Sequence, residues 1–124
     1  MTRQYIDIDG RKWGVLAYYD VRQADLGELA DTLENFGCKG EKLRHAISVL
    51  SHKNNALTYT DESAKMSVVA IAEATSREQA MNSVAHELHH LVAHICDYYN
   101  VSHNGEDAAY LQGYITQKIF RQLR

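Results

Sequence analysis

The residues best suited to chemistry stand together in Val84-Ala85-His86-Glu87-Leu88-His89-His90-Leu91-Val92, where His86 and His90 lie four positions apart with Glu87 directly after the first. On an α-helix that spacing is one turn, so both imidazoles leave one face with Cβ atoms about 6 Å apart and can close on a single zinc ion. Glu87 would sit beside the metal rather than on it. There it can take a proton from an attacking water and hand it to a leaving amine. Seven histidines and eight glutamates in 124 residues give roughly 0.02 chance matches to this spacing. The bland alternative is a polar, histidine-rich helix face, but the apolar flanks put these groups at a depth where they need partners.

Neighbouring histidines complicate the pattern. His90 and His94 are also one turn apart, yet only the first pair carries the glutamate. His94 is expected to hydrogen-bond behind the metal or pack at the helix surface, and His89 points away from the other two. A catalytic zinc takes a third protein ligand and keeps one position open. His103, Glu106 and Asp107 are the downstream candidates, clustered at the start of a final helix on which Glu106 and Tyr110 would share a face. If the histidine helix runs to Tyr99, however, nine residues past His90 carry the chain about 13 Å from the metal before it turns. Glu106 then returns only if the helices cross steeply or the first stops early. Tyr110 and Tyr114 can offer a phenol to a developing oxyanion, with aromatic packing as the alternative in a chain of eight tyrosines. Asp97, two turns past His90, can orient an imidazole but not reach the same metal.

These side chains need elements to hold them. Asp9-Gly10 is a hairpin signal between Tyr5–Ile8 and Lys12–Tyr19. Leu26, Leu29, Ala30, Leu33 and Phe36 recur at helical spacing within Val21–Phe36 and stop at Gly37; a second helix spans about Gly40 to Ser51. Two extended segments follow, Asn55–Thr60 and Met66–Ala74, around the polar turn Asp61–Lys65. Thr75 or Ser76 offers an N-cap to a long helix reaching about Tyr99, and Ala108, Leu111, Ile115, Ile119 and Phe120 mark the last helix. The economical reading is one α+β domain over residues 1–124, with a small mixed sheet and about four helices.

Composition narrows the function classes. Hydrophobic residues make up 45% and charged residues 23%, with a net charge of −3, as in an ordinary globular domain. No Lys/Arg cluster favours nucleic acid or an anionic membrane. Charges interrupt Met1–Asp9 where a signal peptide needs an apolar core, and no run is long enough to span a bilayer, so a cytoplasmic chain is expected. Cys38 and Cys96 lack the spacing of a zinc knuckle or redox pair and read as reduced thiols, Cys96 buried in a helix.

Over residues 66–120 the chain resembles the zincin-fold metallopeptidases of gluzincin type, in particular the small stand-alone forms often encoded by phages and prophages. The resemblance rests on the strand Met66–Ala74, on Ala85–His90 followed by Ile95-Cys96-Asp97-Tyr98-Tyr99, and on Glu106-Asp107-Ala108-Ala109-Tyr110-Leu111-Gln112-Gly113-Tyr114. It implies a minimal zincin-like domain with Zn2+ on His86, His90 and Glu106, Glu87 as the base, and a peptide or protein substrate extended along the strand Met66–Ala74. The metzincin extension is absent, because Ala93 and Cys96 occupy its glycine and third-histidine positions. Asp107 and Tyr110 loosely match an aspzincin pattern, which leaves Asp107 as a rival third ligand. A non-catalytic interaction module on the same fold is the alternative function.

Overall fold

The computed structural model describes residues 1–8 and 10–123. β1 (Thr2–Ile8) and β2 (Trp13–Val21) pair antiparallel, from Thr2 opposite Tyr19 to Ile8 opposite Trp13. Of the expected hairpin turn, Asp9 lies outside the described residues; Gly10 takes φ +75°, a conformation glycine adopts without a Cβ clash. β2 continues to Val21, two residues beyond Tyr19, because Val21 pairs with the end of a later strand. The helix expected from Val21 therefore starts only at Leu26, after a single 3-10 turn at Gln23–Asp25.

α1 (Leu26–Asn35) ends where Gly37 turns left-handed at φ +92° and the Cys38 amide returns to the Leu33 carbonyl. α2 (Gly40–Leu50) leads to β3 (Ala56–Asp61) and β4 (Met66–Ala72), joined through the expected polar turn. α3 (Arg77–Tyr99) is opened by Ser76, whose Oγ accepts from the Gln79 amide at 3.1 Å. It is closed by Asn100 at φ +56°, with the Val101 amide reaching back to the Cys96 carbonyl. α4 (Glu106–Leu123) follows a short connection.

The described residues form an α+β fold: a four-stranded mixed sheet in the order β1-β2-β4-β3, with four α-helices. β2 and β4 run parallel at its centre, while β1 and β3 pair antiparallel at the two edges. β4 stops at Ala72 rather than Ala74, where the Glu73 amide turns to the Val21 carbonyl. Its residues are buried on both faces, as a central strand requires.

Alternation along the strands sorts side chains between two cores. Ile6, Ile8, Trp13, Val15, Val69 and Ile71 face α3 and α4, meeting Leu88, Leu91 and Ile95 of α3 and Ala108, Leu111 and Ile115 of α4. Tyr18, Val68 and Ala70 face the other way, onto Leu29 and Leu33 of α1 and Leu50 of α2. Among the described residues no helix is long and apolar enough to cross a membrane.

Candidate functional site

From Ser83 to Cys96 α3 has one buried and one exposed face, and its chemistry lies on the border between them. Val84, Leu88, Leu91, Val92 and Ile95 go into the core, while His86 and His90 stay exposed. Their Nε2 atoms approach to 3.2 Å, with ring planes 67° apart. Two imidazole nitrogens this close either share one proton or converge on a third body. A tetrahedral zinc with Zn–N bonds of 2.0–2.1 Å sets its ligand nitrogens about 3.3 Å apart, so the observed separation fits two ligands of one ion.

Glu87 turns the opposite way from solvent and is only 5% exposed. Its Oε1 accepts from Thr58 Oγ1 on β3 at 2.8 Å, while Oε2 stands 3.9 Å from His86 Nε2. Thr58 Oγ1 also lies 3.3 Å from the Glu87 carbonyl oxygen, so β3 holds both the backbone and the side chain of this residue. One carboxylate oxygen is thus anchored, and the other is directed at the imidazole pair. Beside it opens a cavity of about 250 Å³ lined by Asn54, Asn55, Asn82, Ser83 and His86. A second cavity of about 260 Å³, lined by Lys42, Thr58, Tyr59, Thr60, Glu62, His94 and Asp97, lies further along the same strand.

His94 is half-buried, and its Nδ1 lies 2.8 Å from Thr60 Oγ1. Burial, reinforced by the nearby His90, lowers its pKa below the ordinary histidine value despite opposing effects from Asp97, Glu62 and Glu87. His89 is exposed, its ring 6.0 Å from that of His90.

The strand along this site is β3, not Met66–Ala74. β4 is hydrogen-bonded to β2 on one side and β3 on the other, so it has no edge to offer; β3 has one. The downstream candidates also stand elsewhere. α3 does run to Tyr99, and Glu106 and Asp107 begin α4 beyond that far end. Asp107 and Tyr110 line a separate cavity of about 380 Å³ with Ile8, Arg11, Leu111 and Tyr114, against β1. Tyr110 is 74% exposed there, and the Tyr114 hydroxyl donates to the Asp7 carbonyl. His103 pairs with Asp97 at 2.6 Å. Among the described residues no three His, Cys, Asp or Glu side chains gather where they could hold a metal ion. The structure therefore brings together His86, His90 and Glu87 but joins neither Glu106 nor Tyr110 to them.

Sequence reasoning missed Thr58, Thr60 and Ser67. The signal was present as two threonines at the two-residue spacing of a strand face, and one serine inside the otherwise apolar β4. Compared with models of protein families, with curated proteins and with solved structures, the chain matches none.

Proposed function

We propose that this chain is a zinc-dependent metallopeptidase in which His86 and His90 hold the metal and Glu87 is the general base. The observation that carries the reading is the 3.2 Å convergence of two accessible Nε2 atoms beside a buried, anchored carboxylate. Bound there, zinc would supply a Lewis acid for the scissile carbonyl and ease the deprotonation of water. The chain's own residues supply the rest. Thr58 fixes one oxygen of Glu87, leaving the other to accept a proton from water and deliver it to the departing amine. The outer edge of β3 offers unpaired backbone N–H and C=O groups to an extended peptide, which would lie across the two cavities that flank the strand.

Hydrolysis of a peptide library by the purified protein tests the reading. A metal chelator should abolish cleavage, and Glu87→Gln should lower kcat by about 10²- to 10⁴-fold. Cleavage that survives Glu87→Gln unchanged refutes the mechanism.

That no third His, Cys, Asp or Glu joins the imidazole pair among the described residues favours one competing reading, an interaction module that keeps a metal but does not cleave. Stoichiometric zinc, no hydrolysis and a stable complex with one partner protein would establish that alternative.

A further inference from the structure

A line of hydrogen bonds runs from the core to the groove beside β3. Trp13 Nε1 donates to Ser67 Oγ at 3.1 Å, Ser67 Oγ lies 2.8 Å from Thr60 Oγ1, and Thr60 Oγ1 lies 2.8 Å from His94 Nδ1. Each of the four residues comes from a different element: β2, β4, β3 and α3. Trp13 and Ser67 are fully buried, and no buried side-chain nitrogen or oxygen among the described residues lacks a partner.

The direction of the line follows from its first member. An indole N–H can only donate, so Ser67 accepts from Trp13. The Ser67 proton then has Thr60 as its side-chain acceptor, since water does not reach it. Thr60, having accepted from Ser67, satisfies its own proton by donating to His94 Nδ1. That bond requires a lone pair on Nδ1 and leaves the imidazole proton on Nε2. The opposite direction would either leave the buried Ser67 proton without an acceptor or turn the Thr60 proton away from the nitrogen 2.8 Å distant.

We propose that the Trp13–Ser67–Thr60 line fixes His94 in its Nε2–H tautomer, making it a hydrogen-bond donor to the carbonyl oxygen of the bound peptide rather than a third metal ligand. The donor role rests on the peptidase reading; the tautomer does not. His94 lines the second cavity along β3, with its ring centroid 6.5 Å from that of His90, and Nδ1 is its only atom with a hydrogen-bond partner among the described residues. A ligating imidazole has the reverse pattern, a lone pair toward the metal and an N–H toward its support. Burial, which holds the ring neutral, agrees with a donor that keeps one proton. No distance in the sequence marks this role, because its determinants lie at positions 13, 60, 67 and 94.

Long-range ¹H–¹⁵N correlation spectra of the ¹⁵N-labelled chain, above the His94 titration, read the tautomer directly. The His94 proton is expected on Nε2 in the metal-free protein and after addition of zinc. Thr60→Val should populate both tautomers, and Thr60→Ser should restore the wild-type spectrum. A proton on Nδ1 in the wild type, a tautomer indifferent to Thr60→Val, or displacement of the Nε2 proton by zinc overturns the proposal. In the peptidase assay His94→Ala should lower kcat about 100-fold, leave KM within about threefold, and leave zinc content unchanged. Full activity of His94→Ala overturns the donor role. A wild-type chain that cleaves nothing overturns it together with the peptidase reading, while the metal-free spectrum still decides the tautomer separately.

Discussion

At the scale of single residues, the divergent environments of neighbouring histidines on α3 lead to separable predictions. His86 and His90 converge, so His86→Ala or His90→Ala should abolish the zinc content of the purified protein, measured by elemental analysis. Glu106→Ala and Asp107→Ala should leave it unchanged, because both residues stand beyond the far end of α3. Zinc lost with Glu106→Ala would place α4 differently from the geometry described. His94 makes a different prediction, through pH. Its folded pKa is lowered, chiefly by burial, so as pH falls below about 6.5 the unfolded chain takes up this proton before the folded one does. Its contribution is therefore complete above that value and lost as pH falls toward the folded pKa. In metal-free protein the urea midpoint should drop between pH 7.5 and 5.5, and less steeply in His94→Gln.

At the scale of elements, the helix boundaries were readable where local chemistry sets them. Ser76 caps α3 as its side-chain type suggests, and Ser76→Ala should cost about 1 kcal/mol in chemical denaturation. Gly37 closes α1 in a left-handed turn, and a Cβ there would come within 3.4 Å of the Tyr59 hydroxyl. Gly37→Ala should therefore destabilise by about 1 kcal/mol or more. The imidazole pair was legible for the same reason, since its spacing needs only a helix. What could not be read was which strand borders it. Met66–Ala72 looks like a strand from its own residues, but whether it lies inside the sheet or on the edge depends on Val15, Leu16 and Ala17, fifty residues away. Likewise, nothing local to Val21 announces that it extends β2; its pairing with Ala72 decides that. Glu106 begins a separate helix because α3 keeps its helical pattern to Tyr99, carrying the turn past the imidazole pair.

At the scale of the whole molecule, the two cores share one sheet, and each is closed by a helix pair. Leu91 is 1% exposed between α3 and the sheet, so Leu91→Ala should cost about 2–5 kcal/mol and loosen the imidazole pair with it. Cys38 and Cys96 are both buried, one in each core, and burial raises both thiols above their ordinary pKa. Neither should react with a maleimide until denaturant opens the fold, which a mass measurement can follow. Trp13 lies in the core beneath α3 and α4. Its ring meets that of Tyr98 nearly at right angles, with centroids 5.2 Å apart, beside Tyr99, whose hydroxyl donates to the Arg11 carbonyl. The chain has no other tryptophan. One sheltered fluorophore is thereby connected to the groove through two hydroxyls, so its indole proton resonance should move when a ligand arrives, and the native protein carries its own optical and magnetic gauge of occupancy.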